Sequence, residues 1–314
     1  MLETRALCKE YQGHLVVNNL NLQVRSGEIY GFLGPNGAGK STTIKMILDL
    51  LPATSGEIKI FGQSLRENYF KLKQKIGVVG EFQNLYPEMT GLEYLSFFED
   101  LFGISAKKQR VNQLLERLDL YQQRRLPLRA YSKGMQQKIA LARALLHDPE
   151  IIILDEPVSS LDPHGIKLVR DIIISENQAG KTIFISSHLL SEIEKTCHRI
   201  GIIHHGRLMA EDTIPGVIQK IASGMEIELE LEKITPGLVN NLKLLSFVAF
   251  VQVVEESRLL IRTHGPDDYR PGLMKFLNSE GCSVLGLQKR PMSLEEAFVT
   301  ITDNNISLLT TREG

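Results

Sequence analysis

The 314-residue chain is poor in three things: cysteine, surplus charge and long apolar runs. Its three cysteines, Cys8, Cys197 and Cys282, are scattered and odd in number, and no pair has metal-ligand spacing. No disulfide framework is therefore expected, and reduced thiols in a cytosolic compartment are. Lys and Arg total 36 against 37 Asp and Glu, a net charge of -1. That balance argues against a nucleic-acid binder held by bulk charge, although a local basic patch stays open. No apolar run approaches the ~20 residues needed to cross a bilayer. Residues 1–11 carry Glu3, Lys9 and Glu10 and lack the apolar core of a signal peptide. The expectation is a soluble or peripheral protein that cannot form a channel by itself. Internal repeats and low-complexity segments are also missing.

What is present has ordinary globular proportions, 43% hydrophobic and 23% charged residues. The length suits one large domain and a small one, or two middling ones. Over the first two-thirds, short apolar runs alternate with helical patterns. Strands are predicted at 27–33, 57–61, 76–79, 151–154, 182–186 and 200–204. Helices are predicted at 40–51, 90–102, 106–118, 134–147, after Pro163, and at 189–197. Thr90 with Glu93 three residues on reads as a capping box. This alternation implies an α/β fold with a largely parallel sheet. The texture changes near Pro215. Residues 225–232 alternate apolar and Glu strictly, as a half-buried strand does, and the Glu226, Glu228, Glu230, Glu232 stripe reads as its solvated face. Two hairpin strands (247–254, 258–262), a helix (267–280), a strand (283–287) and a helix (293–302) follow. A small C-terminal α+β domain is expected over 223–302, with a tail at 303–314.

Gly34-Pro35-Asn36-Gly37-Ala38-Gly39-Lys40-Ser41 fits G-x-x-x-x-G-K-[ST] between a predicted strand and helix, the context of a P-loop. The glycines let the backbone turn tightly, so that N–H groups and the helix N-terminus face a phosphate. Lys40 would reach the β- and γ-phosphates and the Ser41 hydroxyl would ligate Mg²⁺. Ile151-Ile152-Ile153-Leu154-Asp155-Glu156-Pro157 puts two carboxylates past a hydrophobic strand. An open α/β sheet presents ligands at the carboxyl ends of its strands. Asp155 would bind Mg²⁺, directly or through water, and Glu156 would act as general base on the attacking water. His204-His205 lacks neighbours at metal-ligand spacing and reads as a turn.

The ordered series of P-loop, Ser132-Lys133-Gly134-Met135-Gln136, Leu154-Asp155-Glu156-Pro157, Ser160-Leu161-Asp162 and Ser187-His188 resembles the ABC ATPases. The resemblance covers about residues 1–215. It implies an ABC ATP-binding domain over 1–220, with a helical signature subdomain at about 85–147. ATP would be the substrate, held by the loop from Gly34 to Ser41 and Thr42, with Mg²⁺ as cofactor. Ser132 and Gly134 would open the signature helix and meet the γ-phosphate of ATP in an opposite subunit. Asp162 would lie in the loop bridging the two sites, His188 would touch the γ-phosphate, and Tyr11 would stack on adenine. Taken singly, Tyr11 also reads as a core edge, His188 as a helix cap and Ser132 as an N-cap.

Two departures from the family pattern stand out. Lys133 occupies a signature position that is often Gly, a form similar to that of bacterial export ATPases. In Gly80-Glu81-Phe82-Gln83, the metal- and water-contacting Gln of the family aligns with Glu81, and Gln83 remains the alternative. Residues 291–298 are similar to the closing motif of ATPases from drug and polysaccharide exporters. The implied partners are a separately encoded membrane-spanning permease and a second ATP-binding subunit, with no nucleic acid. The implied location is the cytoplasmic face of the cell membrane, with 82–102, including Leu92, Leu95, Phe97 and Phe98, as the apolar docking segment, although core packing accounts for most of those apolar residues. A soluble ABC ATPase acting on ribosomes or DNA, an importer ATPase with a regulatory C-terminal domain, and a nucleotide-binding regulator without turnover are the competing readings.

Overall fold

The computed structural model describes residues 1–64, 68–104, 109–221, 224–265, 267–290, 292–303 and 306–309. Residues 106–108, 223, Pro291 and 310–314, on which parts of the readings above fall, lie outside the described residues. The chain divides into two compact units, Met1–Ile214 together with the chain's end, and Pro215–Asn304. In the first, Leu308 N donates to Met209 O, joining the tail to the strand that precedes the break.

In chain order the first unit begins with the hairpin β1 (Leu2–Tyr11) and β2 (His14–Val24), then β3 (Ile29–Leu33) and α1 (Lys40–Ile47). Next come β4 (Ser55–Ile60), β5 (Gln63–Ser64), α2 (Tyr69–Lys73) and β6 (Ile76–Val79). Three helices follow: α3 (Gly91–Leu101), α4 (Gln109–Arg117) and α5 (Lys133–Leu145). The unit closes with β7 (Ile151–Asp155), α6 (Pro163–Gln178), β8 (Thr182–Ser187), α7 (Leu190–Thr196), β9 (Arg199–His204) and β10 (Arg207–Thr213).

A six-stranded sheet of order β10-β9-β3-β8-β7-β6 forms the centre, parallel throughout except for β10 at one edge. Every residue of β3, β7 and β8 is buried. This is why their sequences run apolar without alternation: helices cover both faces of such a sheet. Phe184 on β8 lies between Tyr30 and Phe32 of β3, with ring centroids 5.8 and 5.5 Å away. On α3 the Thr90–Glu93 capping box forms in full. Leu95, read above as docking surface, is fully buried in the core; Phe82, Tyr86, Phe97 and Leu101 are the exposed apolar residues of that stretch.

A second, antiparallel sheet of order β2-β1-β4-β5 was not anticipated as a sheet. Of its strands β4 was expected at 57–61, whereas β1 and β2 hide from a period-2 search because β1 is bulged: register shifts fall on both sides of Leu7, and Ala6 has φ +45°. Gly56, φ +91°, lies against that bulge, where an added Cβ would run into the Ala6 carbonyl.

The second unit comprises α8 (Ile214–Ile221), β11 (Glu226–Leu231), α9 (Leu238–Lys243), β12 (Val248–Glu255), β13 (Arg258–Thr263), α10 (Arg270–Ser279), β14 (Val284–Arg290) and α11 (Leu294–Asp303). Its four-stranded antiparallel sheet has the order β12-β13-β11-β14. Ile227, Leu229, Leu231, Leu259 and Ile261 form its core with Leu273 and Leu277 of α10. The Glu stripe of β11 is not simply solvated. Glu226 is buried, accepting from Arg262 Nε at 3.0 Å and paired with Arg290 at 3.5 Å across the two neighbouring strands. Cross-strand ion pairs cover a face that alternation alone marks as wet.

The bulge yields a stability test. Gly56→Ala forces both a left-handed backbone and an overlap with Ala6, so the first unit should lose about 1–3 kcal/mol. Urea unfolding followed by circular dichroism would measure it, and an unchanged midpoint would mean that β1 and β4 adjust freely at this contact.

Candidate functional site

Parallel pairing fixes where the motif residues emerge. Leu33 pairs with Ser187 and Asp155 with Ser186, so β3, β7 and β8 end together at one edge of the sheet. The loop 34–39 leaves β3 there and runs into α1, whose N-cap, Gly39, has φ +107° and no side-chain cap. Nothing from the side chains then occupies the N-terminus of that helix, which is the arrangement that receives anions. The loop is braced from behind. A Cβ on Gly34 would stand 2.5 Å from Ile203 O, and Gly206 N, on the turn between β9 and β10, donates to Ala38 O. Gly206 O in turn accepts from Asn18 N of β2.

Lys40 Nζ lies over the loop, donating to Gly34 O at 2.7 Å and Pro35 O at 3.3 Å. Burial pushes its pKa down, while the carboxylates of Glu156, Asp155 and Glu81 act the other way. One ammonium thus shares its surroundings with three carboxylates. Ser41 and Thr42 occupy the first turn of α1, both partly buried.

Ser186 Oγ donates to Asp155 Oδ1, and Glu156 N donates to Ser186 O at 3.1 Å. Glu156 has φ +52°, a left-handed conformation that a non-glycine residue takes only under constraint. Its Oε2 lies 2.7 Å from His188 Nδ1; the carboxylate is mostly buried and the imidazole about half exposed. In the loop after β6, Gln83 Nε2 donates to Gly80 O at 2.6 Å and to Gln137 Oε1 of α5 at 3.0 Å, while Glu81 is exposed.

A second group gathers where α5 and α6 begin. Ser132 caps α5, accepting from Met135 N at 3.2 Å, and Asp162 caps α6, accepting from Gly165 N at 2.7 Å. Gly134 lies between them, where a Cβ would stand 3.2 Å from Ser160 O. Tyr11 stays exposed at the tip of the β1–β2 hairpin, with Lys9 Nζ 4.9 Å from its ring centroid. The candidate residues therefore form two clusters, Lys40–Asp155–Glu156–His188–Glu81 and Ser132–Gly134–Asp162, while the Tyr11 ring faces Lys9. Two contributors went unremarked in the sequence: Ser186, which joins Asp155 to Glu156, and Gly206, which braces the loop. The pair Ser186-Ser187 at a strand end was the only signal for the first.

A glycine-rich loop opening a helix at the carboxyl edge of a parallel sheet, beside two carboxylates, defines a P-loop nucleotide-binding protein. The family model described as "ABC transporter" matches residues 17–159. The chain is 38% identical over 302 residues to the bacitracin transport ATP-binding protein BcrA of Bacillus licheniformis, covering 96% of this chain and 97% of that one. It is 33% identical over 311 residues to the Nod factor export ATP-binding protein I of Cupriavidus metallidurans, covering 96% and 97%. An ATP-binding cassette solved as a dimer in a post-hydrolysis state with ADP and Pi superimposes with a TM-score of 0.61, at 26% identity, over 68% of this chain and 98% of that one. The chain belongs to the ABC transporter family and is one of its ATP-binding, ATP-hydrolysing subunits. Among the described residues no helix is long and apolar enough to cross a membrane.

The brace makes a prediction that touches no phosphate-facing residue. Gly206 has φ +77°, and a Cβ there would stand 2.5 Å from Val16 O. Gly206→Ala should displace the turn behind the loop and weaken ATP binding by about tenfold, or ~1.4 kcal/mol. Titration with a fluorescent ATP analogue decides it; unchanged affinity would show that the turn does not set the loop's shape.

Proposed function

We propose that two copies of this chain clamp ATP between the loop 34–42 of one and the Ser132–Gly134 helix start of the other, and that hydrolysis drives export through a separate membrane subunit. The observation that carries the hydrolytic reading is Glu156. Its carboxylate is held beside the phosphate-binding loop by an imidazole at 2.7 Å and a strained backbone. Glu156 would take the proton of the attacking water, and His188 would hold that carboxylate in line and contact the γ-phosphate. Lys40 would exchange its loop carbonyls for phosphate oxygens. Tyr11 would offer its exposed ring to adenine, and Asp162 would order the loop through which the two sites meet.

Charge supports Mg²⁺ as the companion of ATP. Three carboxylates surround one ammonium, so a polyphosphate entering this site would meet net repulsion without a further cation. The donors offered are hard oxygens, the Ser41 hydroxyl and the Asp155 and Glu81 carboxylates, which suit Mg²⁺. No group of three or more His, Cys, Asp or Glu able to hold a metal ion occurs among the described residues. That fits an ion whose remaining ligands come from phosphate and water. The bound ion would supply charge neutralisation and phosphate orientation. Gln83 is occupied by Gly80 and Gln137, which favours Glu81 as the ligand.

Export follows the relatives' names, bacitracin transport and Nod factor export. The exposed Phe82, Tyr86, Phe97 and Leu101 form an apolar surface suited to a membrane partner on the cytoplasmic face. Two variants test the scheme. Glu156→Gln keeps shape but removes the proton acceptor, so turnover should fall about 10²–10⁴-fold while ATP still binds. Turnover within about threefold of the parent would remove Glu156 as general base. Lys40→Ala should cost ATP affinity about 2–5 kcal/mol, measured by the same fluorescent titration.

A further inference from the structure

Two adjacent serines close β8, and they face different partners. Ser187 Oγ accepts from Leu189 N at 3.0 Å, a contact local to the turn that enters α7. Ser186 is fully buried and reaches across to the end of β7 instead. Its hydroxyl donates to Asp155 Oδ1 and accepts from Glu156 N at 3.2 Å. A serine hydroxyl carries one proton and two lone pairs. An N–H can only donate, so a lone pair must face Glu156, and the proton is left for the Asp155 carboxylate. The direction of this group is fixed from both sides.

Glu156, in its left-handed conformation at φ +52°, is held at three points. Its carboxylate meets His188 Nδ1, on an imidazole about half exposed. Its carbonyl accepts from Ser159 Oγ at 3.1 Å, but Ser159 is exposed and belongs to the same turn, so that bond travels with the turn. Its N–H is fastened to the sheet, by the carbonyl and the hydroxyl of Ser186. The carbonyl is part of β8 whatever residue stands there. The hydroxyl is what serine adds, and water does not reach it to take its place.

We propose that Ser186 is a positioning residue for hydrolysis: its hydroxyl, oriented by Asp155, fixes the turn that aims the Glu156 carboxylate. This role rests on Glu156 acting as the general base. A non-glycine residue keeps such a backbone only while its surroundings hold it there, and a catalytic group misplaced by about 1 Å can lose about 10²-fold in rate. Lys40 bonds to the loop carbonyls of Gly34 and Pro35, and Ser186 Oγ to Asp155 and Glu156, so the two sets share no hydrogen bond. Holding ATP and aligning the base are therefore separable.

Ser186→Ala removes one oxygen while β8 stays paired, so the full-length chain is expected to fold. Its kcat should fall about 10–100-fold, with KM for ATP within about threefold of the parent. Without nucleotide, hydrogen exchange over residues 155–160, read by mass spectrometry, should quicken by about threefold or more as the Glu156 amide loses its hydroxyl partner. The effects should not add: in a Glu156→Gln chain, Ser186→Ala should change the residual turnover by less than about twofold. A kcat within about twofold of the parent, a loss confined to KM, unchanged exchange, or a full further loss in the Glu156→Gln chain would each overturn the role of Ser186. Parental turnover in Glu156→Gln would remove the general base and this role with it. A large loss in Glu156→Gln beside none in Ser186→Ala would refute the role of Ser186 alone.

Discussion

The site depends on one constraint, the parallel register of β3, β8 and β7. Five to six residues per strand are buried end to end, so the strands cannot slide without exposing isoleucines or breaking the Tyr30–Phe184–Phe32 stack. Because Leu33 aligns with Ser187 and Asp155 with Ser186, three distant sequence segments are delivered to one edge. The loop 34–39, the carboxylate pair and the imidazole then need only short reaches to meet. A one-residue slip in a strand would turn every side chain to the other face, and Asp155 would leave Ser186.

The backbone of Glu156 shows how that edge is held under strain. A left-handed non-glycine residue costs on the order of 1–3 kcal/mol, and here its N–H is fastened to β8 through Ser186, with the hydroxyl of the same serine on Asp155. The consequence is directional. The turn swings the Glu156 carboxylate toward His188, so that consecutive acids face different partners, Asp155 a hydroxyl and Glu156 an imidazole. Two adjacent carboxylates are thereby separated in environment, which is the condition for giving them different tasks.

Much of this was legible from residues alone, and the gaps have physical causes. The glycine-rich loop between β3 and α1, the buried strands at 151–154 and 182–186 and the capping box at Thr90 announce themselves because local sequence and tertiary structure agree there. β1 and β2 do not, since the bulge at Ala6 breaks their alternation at a point only the contact with Gly56 explains. The burial of Glu226 was illegible because it depends on Arg262 and Arg290, residues that alternation places on neighbouring strands without saying which pair. Core packing was expected to take most of the apolar residues of 82–102, but an amphipathic helix does not reveal which of them, Leu95 or Phe97, turns inward. The cap made by Ser132 was that residue's plainer local reading, while the cap that Asp162 makes on α6 was not anticipated.

The helix α5 links the two clusters mechanically. Its first turn holds Gly134 against Ser160, and one turn further Gln137, buried, accepts from Gln83 in the loop that carries Glu81. Toward its other end Arg143 donates to Tyr94 Oη of α3 at 2.9 Å and to Val78 O of β6. A displacement of α5 therefore cannot leave the Glu81 loop in place unless the Gln83–Gln137 bond breaks, and Gln137 is too buried for water to replace that bond cheaply. Named hydrogen bonds thus connect α3, whose flank bears the exposed Phe97 and Leu101, through α5 to the loop that carries Glu81. The path is short, made of named hydrogen bonds, and runs through a helix whose start lies in one cluster and whose side chain fastens the other.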